Sequence, residues 1–211
     1  AKTGMGSSSS FTVGFLNALK ALRGELVDKN TLAKLAIYLE HDVMKENVGV
    51  QDQILAAHGN FNKIEFNTDD SFNVIPVILS PERLSELQNH FMLYFTGVTR
   101  IASDVAANQI RNIAKVANHY KKIRELVDEG LTIMEKPKAS LSELGKLLHE
   151  SWLLKRELSD NITNPQIDDI YKSGLDAGAI GGKILGAGGG GFILFFADPK
   201  TQPKIREKFK H

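Results

Sequence analysis

The sequence contains no cysteine. That excludes a disulfide framework, a thiolate zinc site and cysteine nucleophilic catalysis, and it fits a cytoplasmic location. An excess of charge is missing too: 26 lysines and arginines face 25 aspartates and glutamates, for a net charge of +1. No global field draws in nucleic acid or an anionic membrane, so neither is expected as a partner, and any anionic ligand has to be held locally. Long apolar runs are also absent. Stretches such as Phe192 to Ala197 are far too short to span a bilayer, and no charged-then-apolar targeting segment opens the chain. What is present is a chain of 211 residues, 42% hydrophobic and 24% charged, with enough apolar side chains for a sizeable core in one large domain or two small ones. Ala1-Lys2-Thr3 is no natural initiator sequence and runs into a glycine-serine loop with no room for a preceding strand. The chain is therefore expected to be cut at its front.

Periodicity supplies the organisation. Phe11, Phe15, Leu19 and Leu22 recur at helical spacing before Gly24, so a serine-rich turn feeds a helix with this stripe as its apolar face. Asn30 reads as the N-cap of a second helix that carries Leu32, Leu35, Ala36 and Leu39 past Glu40 and His41 and ends before Gly49. A short helical segment through Ala57, a turn at Gly59-Asn60 and a strand at Lys63 to Phe66 follow. Phe91 to Phe95 reads as a buried strand, and Ser103 to Glu135 as helical. Ser140 and Glu143 form a capping-box pattern, and Asn164-Pro165 is a further helix start, ending at Gly178. Lys183 to Leu185, Gly186 to Gly191 and Phe192 to Phe196 read as strand, tight turn, strand, and Gln202 onward as a helix. The fold class is α+β.

Two glycine-rich segments are candidates for chemistry. Gly4-Met5-Gly6-Ser7-Ser8-Ser9-Ser10 has the ingredients of a phosphate cradle: glycines admit an anion to the backbone, and the following helix supplies its positive end. The same residues also suit a plain capped turn. No Gly-Lys-Ser/Thr closes the segment and no Gly-x-Ser-x-Gly elbow is present, which removes P-loop nucleotidases and serine hydrolases. Gly186 to Gly191 matches the letters Gly-x-Gly-x-x-Gly, but an apolar strand follows where a dinucleotide fold needs a helix. Five glycines in six residues favour a need for close backbone approach, either to a phosphate or to the first loop. Asp52, between Gln51 and Gln53, can accept a proton from a hydroxyl, although a solvated aspartate is the commoner case. Glu40, Asp42 and Glu46 read as a solvated face, and His41 and His58 show no metal spacing.

Their combination and order go further. Gly4 to Ser10 before a helix, Glu40-His41 followed by Gly49-Val50-Gln51-Asp52-Gln53, and Lys183-Ile184-Leu185-Gly186-Ala187-Gly188-Gly189-Gly190-Gly191 late in the chain resemble the second and third motifs of the GHMP kinases. That class includes galactokinase, homoserine kinase, mevalonate kinase and phosphomevalonate kinase. Phe95-Thr96-Gly97-Val98-Thr99-Arg100 and His149-Glu150-Ser151-Trp152-Leu153-Leu154-Lys155 make the chain most similar to the D-glycero-D-manno-heptose 7-phosphate kinases within it. The resemblance covers essentially the whole chain. It implies a GHMP kinase fold, with an incomplete N-terminal βα domain over 1–70 and a C-terminal α/β domain with an antiparallel sheet over 71–211. The family's first motif, much of its adenine pocket and its usual final strand are not in the sequence.

By position, the resemblance implies roles for individual residues. Asp52 is the catalytic base and a substrate ligand, and Glu40 and Ser8 are ligands of Mg2+. Gly4, Gly6, Ser7, Ser8 and Ser9, with Gly186, Gly188 and Gly189, hold ATP, and Gly188 also meets the substrate. Arg100 binds the sugar's phosphate or serves a structural ion pair. The implied ligands are ATP, Mg2+ and a small-molecule sugar phosphate, and nothing here sets an oligomeric state. The implied reaction moves the γ-phosphoryl of ATP to a sugar hydroxyl, the anomeric one of a heptose phosphate. Alternatives are a fucose- or galactose-type kinase, or a non-catalytic sugar or nucleotide sensor on the same scaffold.

Overall fold

Glycine and proline punctuate the chain, and the computed structural model, which describes residues 4–46, 49–98 and 102–210, shows where each break falls. Helix α1 (Ser7–Leu22) opens after Gly6, whose φ is 65°, and closes at Gly24, whose amide donates to the Ala21 carbonyl. Helix α2 (Lys29–Tyr38) is capped by Asp28, whose side chain accepts the Thr31 amide at 3.0 Å. Asn30, expected as that cap, lies inside the first turn, because the aspartate two residues earlier already reaches the amide a cap must satisfy. A π-helical turn over Leu39–Val43 continues α2. After it come α3 (Gln51–His58) and an antiparallel pair, β1 (Asn62–Phe66) and β2 (Phe72–Pro76), with Phe66 opposite Phe72.

Contacts divide the chain into two units, residues 6–78 and residues 79–210 together with Gly4 and Met5. In the first, Val13, Leu32 and Ala36 form a small core with Leu16, Val27 and Ala56 around it. The stripe whose spacing marks α1 in the sequence lies outside that core. Phe11 is 71% exposed, Phe15 50% and Leu22 85%, and Phe11 and Phe15 stack on each other at 5.8 Å. Instead α1 turns in Ser9, Thr12 and Val13, which lie on one face at three- and four-residue spacing. Hydrophobic periodicity marks a face but does not say which neighbour covers it.

The second unit begins with α4 (Pro81–Asn89), capped by Ser80 with proline at its start, and β3 (Phe91–Phe95). The helical stretch to Glu135 is two helices, α5 (Ala102–Asn112) and α6 (Ala117–Glu135). Helix α7 (Ser142–Arg156) does not use the expected capping box. The Ser140 hydroxyl takes the Ser142 amide at 3.3 Å and pairs with the Ser142 hydroxyl, so the helix starts without a side-chain cap. Asn164 does cap α8 (Pro165–Asp176), accepting the Ile167 amide at 2.9 Å.

Strands β4 (Gly181–Ile184) and β5 (Phe192–Phe196) join β3 in an antiparallel sheet of order β3-β5-β4, followed by α9 (Gln202–Lys208). Trp152, Ile167, Ile184, Ile193 and Phe195, all buried, form the main core. Helix α7 lies so close to β4 that a side chain on Gly181 would collide with the Gly145 carbonyl. Helices plus antiparallel sheets make the fold α+β, as expected. Among the described residues no helix is long and apolar enough to cross a membrane.

Candidate active site

In the first unit the N-terminus of α1 is the focus. Gly6 has no side chain to cap it, and the amides of Ser7, Ser8 and Ser9 have no hydrogen-bond acceptor among the described residues. No acidic residue occupies the first turn. The first turn of this 16-residue helix thus presents amides without an acceptor among the described residues at the positive end of its dipole, which suits an anion.

Two carboxylates stand beside these donors. Glu40 lies in the π-helical turn and is only 2% exposed, contrary to a solvated face. One of its oxygens accepts the Ser9 hydroxyl at 3.2 Å and the Gln53 side-chain amide, while Oε1 is buried without a partner. An unsatisfied carboxylate oxygen is costly unless something else takes it. A π-turn changes the register of a helix by one residue, and such turns recur at functional sites. Asp52, in the first turn of α3, lies against Gly6: a Cβ there would be 3.4 Å from Asp52 Oδ2. Burial pushes the Asp52 carboxyl above its ordinary range. A hydrogen bond from Gln51 opposes that, and the charge of Glu40 adds to it.

Of the serines, Ser9 is buried and bonded to Glu40, whereas Ser7 and Ser8 are exposed at the helix end. Ser9 is thus the serine hydrogen bonded to Glu40. Gln53, fully buried with its own Oε1 unpartnered, orients Glu40 and carried no signal beyond its place next to Asp52.

The glycine loop belongs to the second unit, with Gly4. Gly4 and Gly186 have φ of 75° and 68°, and a Cβ on Gly186 would come within 2.8 Å of the Gly4 Cα. Only glycine fits both positions. Gly188 and Gly189 follow in the turn, the Gly189 amide donating to Ile162 O at 2.8 Å. The Lys155 ammonium donates to the Gly186 carbonyl at 2.5 Å, a clamp that sequence spacing did not indicate. Arg100 lies outside the described residues. Among those residues no group of three or more His, Cys, Asp or Glu surrounds a common point. A hard cation that takes one or two carboxylates, a hydroxyl and phosphate oxygens needs no such cluster, and Glu40 Oε1 beside Ser9 suits one.

Residues 1–60 match the GHMP kinases N terminal domain, and residues 135–211 match GHMP kinases C terminal. The chain belongs to the GHMP kinase family. It is 31% identical over 198 residues to the D-glycero-alpha-D-manno-heptose 7-phosphate kinase of Campylobacter jejuni, covering 93% of this chain and 58% of that protein. A bifunctional fucokinase/GDP-fucose pyrophosphorylase of Arabidopsis thaliana is 27% identical, with 99% of this chain and 20% of that protein covered. Among solved structures, a D-glycero-D-manno-heptose 1-phosphate kinase from Bacteroides thetaiotaomicron superposes with a TM-score of 0.69 at 26% identity, over 97% of this chain and 56% of that one. A phosphomevalonate kinase from Streptococcus pneumoniae reaches a TM-score of 0.77 at 21% identity, over 98% of this chain and 65% of that one, which is a likeness of fold. The chain thus spans a little over half the length of these heptose-phosphate kinases.

Proposed function

We propose that the protein is an ATP-dependent sugar kinase that transfers the γ-phosphoryl group to C1 of D-glycero-D-manno-heptose 7-phosphate. One observation carries the reading. Two carboxylates of different character stand at a helix N-terminus with free amides, one locked by hydrogen bonds and one beside the loop with its proton affinity raised. Phosphoryl transfer asks little covalent chemistry of a protein; it needs alignment, neutralised charge and a place for the hydroxyl proton.

The free amides of Ser7 to Ser9 bind phosphate oxygens. Glu40, with the hydroxyl of Ser9 or Ser8, holds Mg2+, which when bound neutralises charge on the phosphoryl oxygens. Asp52 takes the proton of the acceptor hydroxyl as the new P–O bond forms and the β–γ bridge of ATP breaks, releasing ADP. Its raised proton affinity makes it a better base than an ordinary aspartate. The glycine loop fixes the backbone of Gly4, and Gly188 is assigned to the acceptor on the resemblance to the family's third motif alone. Arg100, where it meets the acceptor, binds its phosphate. The heptose acceptor is supported by the similarity to the Campylobacter enzyme, and the lack of cysteine supports action in the cytoplasm.

The similarity to a fucokinase over nearly the whole chain supports a second acceptor class. A coupled assay of ADP release by the full polypeptide, with heptose 7-phosphate, fucose, galactose and mevalonate in parallel, separates the readings. The heptose phosphate is expected to be turned over fastest. Preference for fucose moves the acceptor to the second class, and no ADP from any of the four contradicts the kinase reading in favour of a sensor.

A further inference from the structure

Among the described residues, hydrogen bonds to the front half of the glycine loop come from side chains alone. The ladder between β4 and β5 ends where the Leu185 amide donates to the Phe192 carbonyl at 2.8 Å, and the next backbone bond is that of the Gly189 amide to Ile162. Between them, Gly186, Ala187 and Gly188 make no backbone–backbone hydrogen bond among the described residues. Two helices reach in instead. Lys155, in the last turn of α7, donates to the Gly186 carbonyl at 2.5 Å, and Gln109, on α5, donates through its side-chain amide to the Ala187 carbonyl at 2.8 Å. The rear of the loop is tied by backbone, the Gly191 amide to the Val98 carbonyl at 2.8 Å and the Thr96 amide to the Gly191 carbonyl at 2.9 Å.

Straps on consecutive carbonyls do more than anchor. In a trans peptide the N–H of one residue lies opposite the C=O of the residue before it, so holding the Gly186 and Ala187 carbonyls fixes the direction of the Ala187 and Gly188 amides. Without such ties a stretch containing two glycines keeps wide backbone freedom, and a ligand that needs one conformation of it loses affinity to the ordering. Lys155 is also an unfavourable choice for a mere anchor. Burial pushes its ammonium down to about 7. Its charge therefore works against the folded state, fully below that pH and no longer above the ordinary lysine range. A methionine of similar length carries no such charge, so what the lysine adds is the bond to Gly186.

We propose that Lys155 and Gln109 are positioning residues that hold the front of the glycine loop in one conformation before any ligand arrives. That the loop acts in phosphoryl transfer rests on the kinase reading above; the two straps do not. Neither side chain is assigned a contact with substrate.

The test compares the full polypeptide with its Lys155→Met and Gln109→Met variants. Each variant removes one donor and keeps a side chain of similar length, and each is expected to melt within about 4 °C of the parent. Amide exchange by NMR without ligand reads the straps. The Gly189 amide, bonded to Ile162 just beyond them, should exchange about tenfold or more faster in each variant, with the α8 amides unchanged. Steady-state kinetics reads the positioning. The KM for ATP or for heptose 7-phosphate should rise about tenfold or more with kcat within about threefold, because the ligand must then order the loop. Parental exchange at Gly189 in either variant overturns that residue's strap. A melting midpoint lowered beyond the stated range, or faster exchange with both KM values unchanged, makes the residues structural and overturns the positioning role. A parent that releases no ADP contradicts the kinase reading, and faster exchange in both variants then still supports the straps.

Discussion

Asp52 meets two opposed demands. Its half-buried place beside Gly6 raises its proton affinity, which suits the proposed base and disfavours the ionised folded state. Asp52→Asn removes the proposed base while keeping shape, so turnover should fall by about 10²- to 10⁴-fold with ATP binding retained; steady-state kinetics with nucleotide titration checks this. Stability should move the other way. A carboxyl whose proton affinity is higher in the folded state stabilises fully below the ordinary aspartate range, and that contribution is lost as pH rises through the raised value. The asparagine variant should therefore melt above the parent near neutral pH, with the gap closing at acid pH. A variant that melts lower at neutral pH contradicts the placement.

Asp52 and Glu40 were singled out only by the resemblance to the family's motif, since read alone both pass for solvated carboxylates. Which serine bonds to Glu40 was not legible, since a run of four serines has no periodicity. Gln53 escaped for a related reason: its role is to fill a hydrogen-bond vacancy that exists only once Glu40 is buried.

Among the elements, local chemistry was readable where one residue decides it. Asn164-Pro165 starts α8, with the asparagine side chain on the Ile167 amide. Ser140 and Glu143 had equally good letters, yet the Ser142 hydroxyl and amide capture Ser140 first. The contrast gives a paired prediction: Asn164→Ala should lower unfolding free energy by about 0.5–2 kcal/mol, and Ser140→Ala by clearly less, as measured by denaturant titration. Equal losses would mean that Ser140 caps α7 after all. Strand β2 and helix α4 were not foreseen. The Ser80-Pro81 start of α4 was a readable signal, whereas β2 is half exposed and defined by its pairing with β1. The exposed stripe on α1 shows the converse, a clear period whose direction depends on what packs beside the helix.

At the scale of the whole molecule the fold class follows from alternating helix and strand signals, while the unit boundary follows from pairing. The expected division at residue 70 falls inside the β1–β2 hairpin, and the hairpin keeps both strands in the first unit. The first loop is itself divided, with Gly4 and Met5 in the second unit and Gly6 onward in the first. That division reflects the packing of Gly4 against Gly186, a contact available only to two glycines. The chain spans 58% of its Campylobacter relative, and the proposed activity is tested on the full polypeptide. The most direct measurement is ³¹P NMR of that polypeptide with ATP, Mg2+ and D-glycero-D-manno-heptose 7-phosphate. A new anomeric phosphate signal growing with ADP, and abolished by Asp52→Asn, is the predicted result; ATP unchanged, or the same signal from the asparagine variant at parental rate, would contradict it.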